Sequence, residues 1–378
     1  MSEHDYDGSG YFLYHSIGMF PGKAECIRAA LADLGNLWGT PHDAQWEQSL
    51  RVRRQFLERW SELINAPAGT MTTAENVTTA LYSIIGSLPG HYLKGRRLLI
   101  AADCFPSLHF LLSGMAERRG FTLHTVPVRA GEAWVRDEDF VAAWGPDVGV
   151  ALLTWVTSTA SHRCNLRALV EHGHKRGSLV GVDITQGIGI VPWDVSAANA
   201  DFLVGSTLKW LCGVAGAGVL QVREGLLQEC QPELRGWFSQ ENPFAWALES
   251  FAYAGDARRF DHGTPSILAA TACLPALEWH ASKELSLLAW HNRELCEAAI
   301  EGCAGLGLEL VSPASAEERG GSVMFRLPAG TDPAAVVEGL REQKLFTDCR
   351  GNILRISPGF VTTAAGVERL LRHLRELI

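Results

Sequence analysis

Apolar positions recur at helical spacing near the two ends of the chain and gather into short unbroken runs between them. Over residues 21–37, Ile27, Leu31 and Leu34 predict a helix. Over 42–64, Trp46, Leu50, Phe56, Trp60 and Leu63 predict a second. Thr72-Thr73-Ala74-Glu75 reads as the start of a third helix that continues through Leu81 to Leu88. Residues 97–101, 122–126, 148–156 and 179–183 are short apolar runs, separated by helical patterns at 107–119 and 166–176. A strand covered by helices on both faces needs apolar side chains on both, so it reads as a run rather than an alternation. After Pro265 the texture changes. Long helices are expected at 266–277 and 282–303, short strands at 308–311, 322–327 and 353–357, and a last helix at 364–377. The pattern predicts an α/β fold: a mostly parallel central sheet sandwiched by helices over 66–265, and a smaller α+β domain over 266–378. Residues 1–65 are expected to pack with that smaller domain.

Composition narrows the partners. The 378 residues are 47% hydrophobic and 20% charged with a net charge of −9, an ordinary globular balance with no basic stripe for nucleic acid. No apolar run reaches the length of a membrane span. Residues 1–10 are polar and acidic and lack a signal-peptide pattern. Nine cysteines, with no C-x-x-C pair, fit reduced thiols in a cytoplasmic protein and no zinc site. His172 and His174, flanked by Glu171, Lys175 and Arg176, read as a solvated helix face rather than metal ligands.

Two strand ends carry the chemistry. The run 179–186 ends in Asp183 and Gln186, and the run 201–209 ends in Ser206, Thr207 and Lys209, with one short connection between them. In an α/β sheet both ends open into one crevice. An amine able to form a Schiff base, a carboxylate able to keep a pyridine nitrogen protonated, and small hydroxyls are what pyridoxal phosphate requires. Lys209 is followed by Trp210, Leu211 and a glycine run, Gly213 to Gly218, instead of a charged surface segment. Those glycines precede a strand, so they are expected to allow close backbone approach beneath the lysine, not to form a dinucleotide loop.

Four further features fit such a site. The helix start at Asn76-Val77-Thr78 offers free N–H groups and a hydroxyl to a phosphate. Phe105, after a strand and before Pro106, could stack on a flat ring or simply pack in the core. Arg258-Arg259-Phe260-Asp261-His262-Gly263-Thr264-Pro265 is a polar turn at the expected domain boundary. Arg355, between Leu354 and Ile356, needs an anion, either a substrate carboxylate or an internal acid.

Together these pieces resemble the class V branch of fold-type I pyridoxal-phosphate enzymes, and within it kynureninase. The resemblance runs from Tyr11-Phe12-Leu13 and Ser16-Ile17-Gly18 through Asn76-Val77-Thr78, Phe105-Pro106-Ser107 with His109, the Asp183 to Lys209 block and Gly236-Trp237-Phe238. It ends with Asp348-Cys349-Arg350 and Leu354-Arg355-Ile356. It implies Lys209 as the cofactor lysine and proton shuttle, Asp183 on the pyridine nitrogen, Gln186 near the phenolic oxygen and Phe105 on the ring face. It also implies a cofactor contact for Thr154. Val77, Thr78, Thr207 and Trp237 would bind phosphate, and Thr264 would reach the phosphate of a neighbouring subunit in a homodimer. Arg355 would hold the α-carboxylate of an amino-acid substrate, beside Tyr14 and His15. The implied activity is cleavage at the side-chain β-carbon. Alternatives on the same cofactor are transamination, racemisation and decarboxylation; a non-catalytic binding protein is a further one.

Three departures stand against a plain kynureninase. Leu208 replaces the tyrosine before the lysine, and Tyr14-His15 replaces a Gly-Asn pair. Gly263-Thr264-Pro265 looks more like cysteine desulfurases and isopenicillin N epimerase. Cys349, six residues before Arg355, does not match the mobile cysteine loop of desulfurases.

Overall fold

The computed structural model describes residues 7–378; most of the polar N-terminal stretch read for a leader lies outside them. Two helices, α1 (Lys23–Trp38) and α2 (Gln45–Ile64), follow an N-terminal strap, and α2 buries Ser49, Arg53, Phe56, Trp60 and Ile64 along one face. The large sheet contains β1 (Met71–Ala74), β2 (Arg97–Ala101), β3 (Thr122–Val126), β4 (Val148–Thr154), β5 (Leu179–Asp183), β6 (Phe202–Ser206) and β7 (Gly218–Val222). Their order is β1-β7-β6-β5-β4-β2-β3. The five strands from β6 to β3 are parallel, and β7 is antiparallel to both β6 and β1.

Side-chain alternation splits the core. Leu99, Ala151, Leu153, Val180 and Leu203 face one layer with Phe56, Trp60 and the helix α7 (Leu166–Lys175). Leu98, Ile100, Val150, Leu152 and Val204 face the other, with α3 (Val77–Ser87) and α5 (Pro106–Arg119). The chain leaves β2 for β3 through α5 on one face and leaves β4 for β5 through α7 on the opposite face. Right-handed crossovers running in opposite directions must use opposite faces, so a crevice opens at the carboxyl ends of β2 and β4.

A second, antiparallel sheet of order β10-β11-β9-β8 holds β8 (Glu309–Leu310), β9 (Val323–Arg326), β10 (Asp348–Arg350) and β11 (Ile353–Ile356). It packs on α11 (Leu285–Gly305), α12 (Pro333–Glu342) and α13 (Ala364–Leu377). The strap bridges its end, pairing Tyr11 with Phe346 and Leu13 with Ser357. The helices α1 and α2 lie against α10 (Leu268–Ala281).

Several expectations need correction. Thr72-Thr73-Ala74 does not begin a helix. These residues form edge strand β1 against β7, a place that suits β-branched threonines, and the helix begins at Val77 behind an Asn76 capping box. The glycine run gives the close backbone approach expected of it, though against Thr207, Cys273 and Asn76. A Cβ on Gly213 would strike Cys273 Sγ and Thr207 at 2.8 Å, and one on Gly218 would strike the Asn76 backbone at 3.0 Å. His174 is not merely solvated: its Nε2 meets the buried Asp201 carboxylate at 2.9 Å, and His172 packs edge-on against Trp144. The polar turn is anchored inward, with Asp261 held by Arg53 and Thr72. All nine cysteines are free, and no group of three or more metal-ligating side chains occurs among the described residues. No described helix is long and apolar enough to cross a membrane.

Candidate active site

The strand register gathers the site. Thr154 pairs with Asp183, and Asp183 with Val204, at the ends of three adjacent parallel strands. Two residues on, Ser206 pairs with Gly218, which pairs with Ala74. Because β1 runs in the same direction as the parallel strands, the N-terminus of α3, with the backbone N–H groups of Val77 and Thr78, opens at the same edge. Phe105 caps α5 directly after the β2 end.

Lys209 lies in the turn after β6, closed by the Cys212 N–H donating to the Lys209 carbonyl at 2.8 Å. Its Nζ stands 5.3 Å from the centre of the Phe105 ring, which keeps 39% of its surface open. Burial pulls the Lys209 amine down to about 8, against the pull of Asp183 and with the help of Arg355 and Arg350. Asp183 is buried, accepts the Thr185 N–H at 3.0 Å, and is pushed up by desolvation while the Lys209 charge opposes the shift. Such a carboxylate is short of a cation beyond Lys209.

Gln186 is buried, donates to the His15 carbonyl at 3.1 Å and accepts from the Trp210 indole at 3.4 Å. His15 ties this crevice to the small sheet. Its Nδ1 meets Ser357 Oγ at 2.7 Å and its Nε2 meets Asp348 Oδ2 at 3.2 Å. Burial lowers the His15 pKa against the opposing pull of Asp348, which favours the neutral ring. Asp348 then requires the proton on Nε2, and Ser357 donates to Nδ1. Asp348 in turn takes the Nε and Nη2 edge of Arg355, with Nε to Oδ1 at 2.8 Å. Arg355 therefore has the internal acid that its place between two apolar residues demands, and its Nη1 makes no hydrogen bond among the described residues.

Other expected residues fall differently. Thr207 is fully buried, its hydroxyl donating to the Ala217 carbonyl at 2.7 Å and accepting from the Trp60 indole at 3.2 Å. The neighbouring Ser206 hydroxyl has no side-chain hydrogen bond among the described residues. Tyr14 is core: it stacks on Trp210 at 5.7 Å, and its hydroxyl donates to the Met19 carbonyl. Trp237 packs edge-on against Trp46, Phe238 and Phe244. Thr264 is exposed on a cleft of about 870 Å³ shared with Thr79, Ala80 and Gly216. Neither shares a hydrogen bond or ring contact with Lys209 among the described residues. Asp348, Ser357 and Gly18 were not assigned from sequence. Gly18 packs on the Lys209 turn, and the one signal for it was its place in the Ser16-Ile17-Gly18 motif.

The residues present fit pyridoxal phosphate. The Thr154 hydroxyl is buried beside Asp183 with no hydrogen-bond partner among the described residues, a state that costs about 1–3 kcal/mol unless a ligand satisfies it. An amine, a carboxylate and an open aromatic face stand at the neighbouring strand ends, and a helix N-terminus opens at the same edge of the sheet. The Aminotransferase class-V family pattern matches residues 34–370. A kynureninase of Deinococcus radiodurans is 27% identical over 340 residues, covering 86% of this chain and 80% of its own. An isopenicillin N epimerase of Streptomyces clavuligerus is 29% identical, covering 85% and 84%. Among solved structures, the cystine C–S lyase C-DES in complex with cysteine persulfide superposes with a TM-score of 0.87 at 21% identity over 98% of both chains. A cysteine desulfurase of Thermococcus onnurineus superposes with 0.85 at 18% identity over 97% and 94%. The chain thus has the fold-type I architecture of these enzymes. It belongs to the class-V aminotransferase family, and its cofactor is pyridoxal phosphate.

Proposed function

We propose that the protein is a homodimeric enzyme that uses pyridoxal phosphate to break a bond at the side-chain β-carbon of an α-amino acid, either Cβ–Cγ by hydrolysis or Cβ–S by elimination. The observation that carries this reading is the Lys209 amine, with its pKa held at about 8, between the open Phe105 face and the buried Asp183. When bound, the cofactor supplies an electron sink. Lys209 would hold it and would move a proton at the substrate Cα, a task suited to an amine that is partly neutral near pH 7. Asp183 would keep a positive charge beside the ring nitrogen, Thr154 and Gln186 would hold the phenolic oxygen, and Phe105 would cover one face. The Val77 and Thr78 N–H groups bind phosphate, with Ser206 as the strand-end hydroxyl in place of the buried Thr207. Arg355 meets the α-carboxylate through its Nη1 side.

Trp237 and Thr264 fit the reading only across a subunit boundary, each serving the neighbouring copy. The exposure of Phe244 at 65%, Trp246 at 79% and Leu248 at 91% supports such a boundary, since so much clustered apolar surface is unusual on a monomer. The kynureninase relatives and the C–S lyase fold support cleavage at the β-carbon. The epimerase relatives favour a second reading, proton exchange at Cα without cleavage. Incubating the loaded protein with an amino-acid panel and assaying pyruvate, alanine, keto acid, carbon dioxide and loss of optical activity separates them. Release of pyruvate or alanine is expected, and optical inversion alone would establish the second reading.

A further inference from the structure

We infer that Arg350 is a second receptor for the substrate's α-carboxylate, and that the substrate is an amino acid whose side chain carries no net charge. The inference rests on the amino-acid site proposed around Lys209 and Asp183. In the β10–β11 ladder Asp348 stands opposite Arg355 and Arg350 opposite Ile353. Residues opposite one another, or two apart along a strand, share a face, so Asp348, Arg350 and Arg355 project from one side of the small sheet.

Their commitments differ. Arg355 gives its Nε and Nη2 edge to Asp348. Arg350 has no carboxylate partner among the described residues; its hydrogen bond, to Ser158 Oγ, is long at 3.5 Å. Ser158 lies four residues beyond Thr154, in the connection leaving the β4 end, so Arg350 spans from the small sheet to the rim of the crevice. Both guanidinium charges are felt at Lys209, where they help lower its pKa. Arg350, at an exposed position of β10, is thus the guanidinium of the pair left without a carboxylate partner among the described residues.

Charge balance sets the substrate class. With Lys209 and Asp183 committed to the cofactor, the substrate side holds two guanidinium charges against one carboxylate, Asp348, while burial disfavours a charge on His15. One positive charge remains, and a single α-carboxylate balances it. A second acidic group would add a negative charge beside Asp348 with no further guanidinium to meet it.

The test uses the cofactor-loaded protein and follows the cofactor's absorbance during titration with propionate, L-alanine and L-aspartate. Arg350→Ala should weaken propionate and L-alanine about tenfold or more, the scale of one lost charge-assisted contact, while leaving cofactor content and thermal midpoint unchanged. Arg350→Lys should recover part of the loss. L-Aspartate should bind the unmodified protein no more tightly than L-alanine. Unchanged propionate affinity in Arg350→Ala would overturn the carboxylate role. Tighter binding of L-aspartate that disappears in Arg350→Ala would instead assign Arg350 to a side-chain acid. A protein that takes up no pyridoxal phosphate, or whose absorbance answers to no amino acid, would sink the parent reading and this one together.

Discussion

Gly18 packs on Lys209 so closely that a Cβ added to it would stand 1.9 Å from the Lys209 carbonyl oxygen. The contact is fixed from both sides. The Gly18 N–H donates to the Leu208 carbonyl at 3.0 Å, and the Gly18 carbonyl accepts from Lys23 Nζ at 2.7 Å, the same ammonium that bonds the Gly213 carbonyl at 3.0 Å. The N-terminal strap is thereby clamped to the turn that carries the reactive amine. Gly18→Ala must displace that turn or the strap. We expect a loss of about 1–3 kcal/mol of stability, typical of overpacking, together with loss of bound cofactor on dialysis. Thermal melts and absorbance after dialysis check this. Full cofactor retention would show that the strap yields without moving Lys209.

Lys209 should set the pH dependence of cofactor uptake. Only the neutral amine is a nucleophile, and burial brings its pKa from 10.5 to about 8. The rate at which apoprotein captures pyridoxal phosphate should therefore rise with pH through a midpoint near 8. The Asp183 carboxylate opposes that depression, so Asp183→Asn should move the midpoint lower still, and it should lose most turnover even where it binds cofactor. A midpoint near that of an ordinary lysine would place Nζ in water.

Asp348 should make the small sheet acid-sensitive. Burial raises its pKa, but the hydrogen bonds from His15 and Arg355 outweigh that and hold it at about 2, below the ordinary 3.8. A carboxyl depressed on folding contributes stability that is complete above its unfolded pKa and is lost as pH falls through the folded one. The contribution is about 1–2 kcal/mol, discounted for partial exposure, and it disappears between pH 3.8 and about 2. The thermal midpoint of Asp348→Asn should accordingly fall less across that interval than that of the unmodified protein. The variant should also bind amino acids more weakly, because Arg355 loses the acid that aligns it.

The strand ends were legible in the sequence because a buried parallel strand announces itself by composition and its last residues fall in the crevice by topology. Asp183, Gln186, Lys209 and Phe105 stand out as candidates that way. What could not be read was which hydroxyl of Ser206 and Thr207 faces outward, since that depends on the pleat. The Trp60 indole and the Ala217 carbonyl, both distant in sequence, claim Thr207. Tyr14 was misjudged for a similar reason: its phenol completes a hydrogen bond within the strap and its ring packs on Trp210. Asp348 carries no sequence signal of its own beyond its place in the Asp348-Cys349-Arg350 motif. Its role came from the β10–β11 register, and a three-residue strand leaves little pattern to read.

The departure at Leu208 bears on the substrate. This residue stands between Thr207 and Lys209 and offers no hydroxyl to a phosphate or a proton relay. Thr207 cannot compensate, since its hydroxyl is already engaged. On the other side of the crevice His15 is committed to Ser357 and Asp348, and Tyr14 to the core. Neither residue is spare to receive an aromatic amine. Kynurenine should therefore be turned over poorly or not at all. Leu208→Tyr alone should not restore it, because the strap still presents the same committed residues. Fluorescence of released anthranilate gives a direct reading. Efficient release by the unmodified protein would show that neither Leu208 nor the strap excludes this substrate, and the β-carbon reading would then narrow to hydrolysis of the Cβ–Cγ bond.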